Sequence, residues 1–248
     1  MKQKVLGVIP ARLKSTRMPE KMLALIAGKP LIYYTWRQAK KAKTLDAVIV
    51  ATDSRKIYDV VTQFGGESVM TPTTINSGSD RVAYASKRYK KFRPDIVVNI
   101  QGDEPLIPPL AIDDTVRAIV KNKTVIMATP AVPFSLVKQK DIKSPNFVKV
   151  ILDKNGDAIY FSRSVIPHPR DQYKNYLNHL GLYGYRYSFL QKYTTLKNTP
   201  LEKAEKLEQL RALENGYKIR VVVGPYKTFE VNTLQEFKVV KARIEKEK

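Results

Sequence analysis

The 248-residue chain contains no cysteine. Disulfides and thiolate metal centres are thereby excluded, and the composition fits a reducing compartment such as the cytoplasm. No run of about 18 apolar residues occurs and no signal-peptide layout is seen, so neither a membrane span nor export is expected. Internal repeats, low-complexity segments and clear linkers are also missing. Acidic residues are scarce: 23 Asp and Glu stand against 44 Lys and Arg, for a net charge of +21. That excess makes nucleic acid a competing ligand. Against it, the lysines are spread along the whole chain, and no helix-turn-helix pattern, zinc spacing or RNP-like aromatic pair is found. Nucleic acid is therefore not the expected partner. The Walker A spacing and the G-x-G-x-x-G fingerprint are absent, and no Ser/His/Asp triad is evident.

What is present is a globular α/β pattern. Hydrophobic residues make up 43% of the chain, enough for a substantial core. The continuous apolar runs "KVLGVIPA", "DAVIVATD" and "PDIVVNIQGDEP" alternate with the helical patterns "PLIYYTWRQAKKA", "DSRKIYDVVTQFG" and "SGSDRVAYASKRYK", with "ESVMT" as a short strand. Such alternation predicts a mostly parallel sheet covered on both faces. Ligands of such sheets bind at the carboxyl ends of the strands, so the polar residues after Pro10, Ala51 and Ile100 should share one edge. The second half differs. "NFVKVILDKNGDAIYFSRS" places Asn155-Gly156 between two strand-like runs, a hairpin signal. "HLGLYGYRYSFL" and "KIRVVVG" read as further strands, and "PLEKAEKLEQLRALENGY" as one helix capped by Gly216. "LQEFKVVKARIEKEK" reads as an amphipathic helix. The expectation is a single domain over 1–248. Roughly 1–130 would form the parallel part, 131–225 an antiparallel insertion that could build a lid or a dimer surface, and 226–248 a C-terminal strand and helix.

The stretch "GVIPARLKSTRMPEK", residues 7–21, sets Arg12, Lys14, Arg17 and Lys21 just after the first buried strand. Arg12, Arg17 and Lys21 can neutralise phosphate oxygens, and backbone amides around Ser15 can cradle them. The competing reading is a solvated basic loop. "QGDEP", residues 101–105, places two acids directly after another buried strand. Asp103 can hold Mg²⁺, which commonly takes one or two carboxylates plus substrate phosphates. Alternatively it caps the following turn.

These two stretches occur in order with "VATDS", "SGSDR", "VKVILDKNGDAIYFSRSVIP", "HLGLYGYR", "AEKLEQLRALE" and "EVNT". Together they resemble the 3-deoxy-manno-octulosonate (Kdo) cytidylyltransferase family over essentially the whole chain. The resemblance implies a Rossmann-like nucleotide-diphospho-sugar transferase fold and a homodimer. It also implies a reaction, CTP plus Kdo giving CMP-Kdo and pyrophosphate, which serves lipopolysaccharide biosynthesis. Carried over by motif, Arg12, Lys21 and Asp103 are the catalytic residues. Pro10, Ala11, Arg12, Arg17, Lys21 and Ser77 take the nucleotide. Arg81, Gln101, Arg163, His179, Tyr183 and Glu208 line the sugar pocket, and Mg²⁺ sits on Asp103 and on position 232. The bland alternatives are a histidine bonded to backbone at 179 and a solvated acidic stripe through Glu202, Glu205 and Glu208.

The chain departs from that pattern at several points. The family's V-D-T is V-N-T here, so Asn232 brings an uncharged amide where a metal-binding Asp is usual; Glu230, two residues earlier, can partly compensate. "PEK" replaces "PGK", setting Glu20 where glycine would give φ > 0 freedom. Ser79 replaces the usual Thr, and "PHPRD" replaces a tryptophan-containing turn. Two other outcomes stay open: a cytidylyltransferase for a related sugar acid such as 8-amino-Kdo, or a metal-impaired homologue that binds nucleotide or nucleic acid.

Overall fold

A computed structural model describes residues 3–13, 18–136, 142–171 and 173–246. Ser15 and Arg17 of the basic stretch lie outside the described residues. The chain gathers into two compact units, Met1–Asp113 with Thr228–Lys248, and Asp114–Lys227.

The first unit is built on a parallel sheet. Strand β1 (Val5–Ala11) is followed by a 3₁₀ turn at Lys21–Leu23 and a two-residue ladder of β2 (Leu25–Ile26) with β3 (Lys29–Pro30). Then come α1 (Leu31–Ala39), β4 (Ala47–Thr52), α2 (Arg55–Gln63), β5 (Glu67–Met70), α3 (Gly78–Arg88) and β6 (Ile96–Asn99). β1 pairs in parallel with β4 and β6, and β4 with β5, giving the order β5-β4-β1-β6. β1, β4 and β6 are buried nearly end to end, which is why they read as unbroken Val/Ile runs rather than alternating ones. Ser54 and Ser77 cap α2 and α3 by accepting from Ile57 N–H and Asp80 N–H. Gly65, at φ +80, ends α2 as its sequence predicts. Helix α4 (Pro109–Lys121), which the sequence pattern did not single out, leads into the second unit.

The second unit is mainly antiparallel. β7 (Met127–Pro133) pairs antiparallel with β10 (Leu177–His179) and β11 (Tyr183–Arg186) and parallel with β12 (Arg220–Val223). β8 (Lys149–Leu152) lies between β10 and β9 (Ala158–Ser162), antiparallel to both. The β8–β9 hairpin turns at Asn155-Gly156 as expected: Gly156 is at φ +80, and Asp153 accepts the N–H groups of Asn155 and Asp157.

Three elements differ from the sequence expectation. "YSFL" is not strand but the start of α5 (Tyr187–Tyr193). The helix expected across 200–217 is two, α6 (Pro200–Glu205) and α7 (Leu210–Glu214), broken at Lys206 with φ 55. Leucines spaced strictly by three drift about 60° per step around a helix, so no single face forms: Leu201 is exposed while Leu207 and Leu210 are buried. The chain returns to the first unit through residues 224–232, which form no strand. It ends in α8 (Leu234–Lys246), opened by a reciprocal Thr233–Glu236 capping box.

Candidate active site

The polar ends of β1, β4, β5 and β6 meet at one edge of the first unit, as the parallel topology requires. Ala11 lies beside Thr52, Thr52 beside Met70, and Val8 beside Asn99. The loops that leave these ends carry Arg12, Asp53, Thr71, Ser77 and Gln101. Close backbone approach fixes the edge. A side chain at Gly102 would meet the Pro10 carbonyl at 2.9 Å and the Met22 sulfur at 3.2 Å, and the Gly102 carbonyl accepts from the Thr35 hydroxyl. Gly78, at the start of α3, passes close to the Pro10 ring. Pro10, Ala11, Ser77 and Gln101 are thus brought to one rim, with Gln101 Nε2 directed at Asn99 Oδ1.

Two cations at this edge do different things. Arg12 is exposed and is free to meet an anion. Lys21 is buried: its Nζ donates to Asp103 Oδ2 at 2.8 Å and to the Val231 carbonyl at 2.7 Å. The Val231 N–H in turn donates to the Asp103 carbonyl. The basic stretch, "QGDEP" and "EVNT", far apart in sequence, therefore meet at the Lys21 ammonium. Glu20 adopts φ 49, the left-handed conformation its glycine-like position demands, and its carboxylate pairs with Lys56.

Two further acids, Glu104 and Glu230, act on one another beside Asp103. Glu104 is buried, and its Oε2 has no hydrogen-bond partner; burial first, then the carboxylates of Glu230 and Asp103, push its carboxyl well above the usual range. Glu230 is raised as well, first by the protein atoms around its carboxylate and then by Asp103, while the Asn232 amide hydrogen-bonds it. No three His, Cys, Asp or Glu side chains converge on a metal position among the described residues. The donor set available is oxygen only, from Asp103, Glu230 and the Asn232 amide. That fits a hard cation that takes its remaining ligands from phosphates and water.

Arg81 lies deeper than a ligand-facing group. It is fully buried and donates to Asp53 Oδ2 at 2.8 Å, to the Ile75 carbonyl and to the Thr71 hydroxyl. In this structure it clamps two loops of the sheet edge, the one after β4 and the one after β5, and burial lowers its pKa. Asp53, its carboxylate partner, was not singled out from the sequence; "VATDS" at a strand end was the available signal.

In the second unit, His179, Tyr183 and Glu208 are brought together. The His179 and Tyr183 rings lie 5.4 Å apart, and His179 meets Phe161 edge-on. His179 Nε2 is 2.9 Å from the Thr129 hydroxyl, and burial holds the imidazole neutral, with its pKa lowered to about 3. The Tyr183 phenol is pushed well above its ordinary value by burial, then by Tyr185 and the Glu208 carboxylate. Arg163 is engaged elsewhere. Its guanidinium donates to the carbonyls of Glu205, Pro145 and Lys206, and its N–H to the Glu205 carboxylate. Glu205 also takes the Ser162 hydroxyl. The expected acidic stripe is thus divided in role: Glu202 is buried in a two-pronged pair with Arg211, and Glu205 secures the 162–163 backbone.

A parallel α/β sheet that gathers exposed and buried cations, a carboxylate and strand-end backbone at its carboxyl edge defines an α/β nucleotidyltransferase. The family profile described as Cytidylyltransferase matches residues 6–219. Relatives named 3-deoxy-manno-octulosonate cytidylyltransferase include one from Chloroherpeton thalassium, 44% identical over 245 residues and 98% of each chain. Another, from Fusobacterium nucleatum, is 44% identical over 96% of this chain and 95% of its own. A solved structure described as CMP:2-keto-3-deoxy-manno-octonic acid synthetase complexed with CTP superposes with a TM-score of 0.91 at 35% identity, covering 99% of this chain and all of the other. A Leptospira borgpetersenii cytidylyltransferase, at 17% identity and TM-score 0.66, shares the fold. The chain belongs to the 3-deoxy-manno-octulosonate cytidylyltransferase family.

Proposed function

We propose that the chain transfers CMP from CTP to the anomeric hydroxyl of Kdo, releasing pyrophosphate, in the cytoplasm and in service of lipopolysaccharide biosynthesis. The observation that carries this is the meeting of the phosphate-loop lysine, Lys21, with Asp103 and the 230–232 segment at the sheet edge, in a chain whose near full-length relatives carry the cytidylyltransferase name. Arg12, Arg17 and Lys21 hold the triphosphate. Pro10, Ala11 and Ser77 border the base and ribose. Gln101, His179, Tyr183 and Glu208 accept the sugar, with neutral His179 offering a hydrogen bond and no charge. Arg81 and Arg163 support the site by fixing the loops and backbone that shape it.

The reaction is a direct displacement. The anomeric oxygen attacks the α-phosphorus, pyrophosphate leaves in line, and the proton of the hydroxyl passes to solvent or a phosphate oxygen. Positioning and charge stabilisation do most of the catalysis. A bound Mg²⁺, held by Asp103 and the 230–232 segment, would supply charge neutralisation at the phosphates. Arg12 and Lys21 neutralise the oxygens of the leaving group, and the backbone around Pro10 and Gly102 excludes water from one side. A homodimer is part of the same reading, as the sequence resemblance implies.

The test is pyrophosphate release by purified protein with Mg²⁺ and each of CTP, UTP, ATP and GTP, with and without Kdo. Release with CTP plus Kdo alone is expected. Release only with 8-amino-Kdo would shift the substrate. Silence with both sugars, restored by Asn232→Asp, would identify a metal-impaired homologue.

A further inference from the structure

The lysines are spread along the sequence, yet the fold brings two basic runs to one place. "RQAKKAK", residues 37–43, closes α1 and leads to β4; "KRYKKFR", residues 87–93, closes α3 and leads to β6. In a parallel α/β sheet both connections arrive at the amino edge of the strands, opposite the candidate active site. The length of β1 sets the two edges roughly 20 Å apart. Neither run contains an acid, and the acids nearby are tied down. Asp46 accepts the Val5 N–H, Asp95 the Lys4 N–H, and Asp113 the Thr44 N–H and hydroxyl. Lys40, Lys41, Lys43, Lys87 and Lys90 are exposed, and none has an ion-pair partner among the described residues. The helix dipole accounts for Arg37, Lys87 and Arg88, which stand in the last turns of α1 and α3. The other cations lie past the helix ends, where that field has faded.

A cavity of about 300 Å³ opens among these cations, with Trp36, Tyr89 and Phe92 in its lining beside Lys4, Lys40 and Lys91. Its two acids, Asp46 and Glu67, are paired with Lys4 and Lys91. Tyr89 meets Phe92 edge-on at 5.0 Å, and the Lys4 ammonium lies 5.7 Å from the Phe92 ring centre. The Tyr89 phenol oxygen is shielded from solvent and has no hydrogen-bond partner among the described residues. The edge thus carries an unmet polar group as well as unmet charge. Aromatic side chains interleaved with cations suit a strand whose bases stack and whose phosphates meet lysine. A lipid surface would call for exposed apolar side chains instead, and among the described residues none of the large exposed ones lies in 36–47 or 84–96. We infer that this amino edge, residues 37–43 and 87–93 around the Trp36–Tyr89–Phe92 cavity, binds single-stranded nucleic acid. The exposed lysines take the phosphates and the cavity takes a base. The site is separate from the nucleotide edge and goes beyond the transferase reading.

The probe is an oligouridylate of about 20 nucleotides, with oligothymidylate of the same length beside it to separate RNA from DNA. Anisotropy of the fluorescein-labelled strand reads binding. Trp36, the only tryptophan of the chain, reads occupancy of the cavity when the unlabelled strand is added. Binding is expected to quench Trp36 and to weaken steeply between about 50 and 200 mM salt. Lys40→Glu with Lys90→Glu is expected to weaken binding about ten-fold or more and to flatten the salt slope by about 0.7 per lysine. Lys197→Glu with Lys203→Glu makes the same change of net charge in the second unit and should stay within about two-fold of wild type. Equal loss in the two pairs overturns the inference, because net charge alone then accounts for binding. It is equally overturned by an unchanged Trp36 emission on binding, by displacement of the strand with saturating CTP, or by no binding at all. Binding of phosphatidylglycerol vesicles in place of either strand also overturns it and makes the edge a membrane surface. Melting temperatures of both pairs separate lost binding from misfolding.

Discussion

Among the described residues each unit buries one lysine, and the two are held in opposite ways. Lys21 in the first unit meets a carboxylate and one carbonyl. Lys149 in the second is fully buried and meets only carbonyls, those of Ser144, Phe147 and Arg163. Burial lowers the Lys149 pKa, with Glu205 opposing. A cation satisfied by backbone is a staple: its partners cannot leave without unfolding. A cation satisfied by a carboxylate can exchange that partner for a phosphate or yield it to a metal ion, at little cost in structure. The same residue type thus stands at the candidate site in one unit and serves architecture in the other.

The sharpest way to break this contrast is to remove each ammonium. Lys21→Met is expected to cut CTP-dependent pyrophosphate release at least ~100-fold. Lys149→Met takes the ammonium from three part-buried carbonyls, of which that of Ser144 still accepts from the Phe147 N–H, and is expected to cost about 3 kcal/mol of stability in urea, while the KM for CTP stays within about two-fold of wild type. A Lys149 variant that stays stable but loses CTP affinity would erase the distinction.

A smaller effect separates the units by pH. The His179 imidazole titrates near 6.5 in the unfolded chain and at about 3 in the folded one. Between those values the unfolded state binds more protons, so stability falls as pH drops through that window, by up to about 1.4 kcal/mol per pH unit. His179→Gln should flatten that slope in denaturant titrations at pH 6.5, 5 and 4, and an unchanged slope would assign acid lability to other groups. The smallest expected effect lies in the first unit. Glu20→Gly relieves a left-handed non-glycine residue and should raise stability by about 1 kcal/mol in thermal melts. A loss instead would mean that the Lys56 pair outweighs the backbone term.

What the sequence revealed follows from the same contrast. The parallel unit was legible because strands buried on both faces are written as continuous apolar runs, and because its ligand edge falls at their carboxyl ends. The Asn155-Gly156 hairpin was legible because its turn demands those residues. The α6–α7 break was not: a run of leucines spaced by three resembles a helix until their burial is compared. The roles of Arg81 and Arg163 were hidden for another reason. Their partners are Asp53, Thr71 and Ile75 in one case and Pro145, Glu205 and Lys206 in the other, and several of these are backbone carbonyls that leave no trace in residue identity. Motif order singled out candidate residues, whereas packing shows which of them are already tied to other parts of the protein.

The clasp between Lys21, Asp103 and Val231 has a consequence for how the protein is made. A chain leaves the ribosome from its amino end. The corner formed by Lys21, Asp103 and Val231 joins residues near the start to one beyond 230, and 114–227 fold into a separate unit between them. During synthesis Lys21 and Asp103 can pair as soon as both are made, whereas the Val231 carbonyl that completes the clasp follows more than a hundred residues later. The clasp therefore closes only when the chain has been made past its second unit, and a chain that stops short of Val231 leaves the Lys21 ammonium without its carbonyl partner.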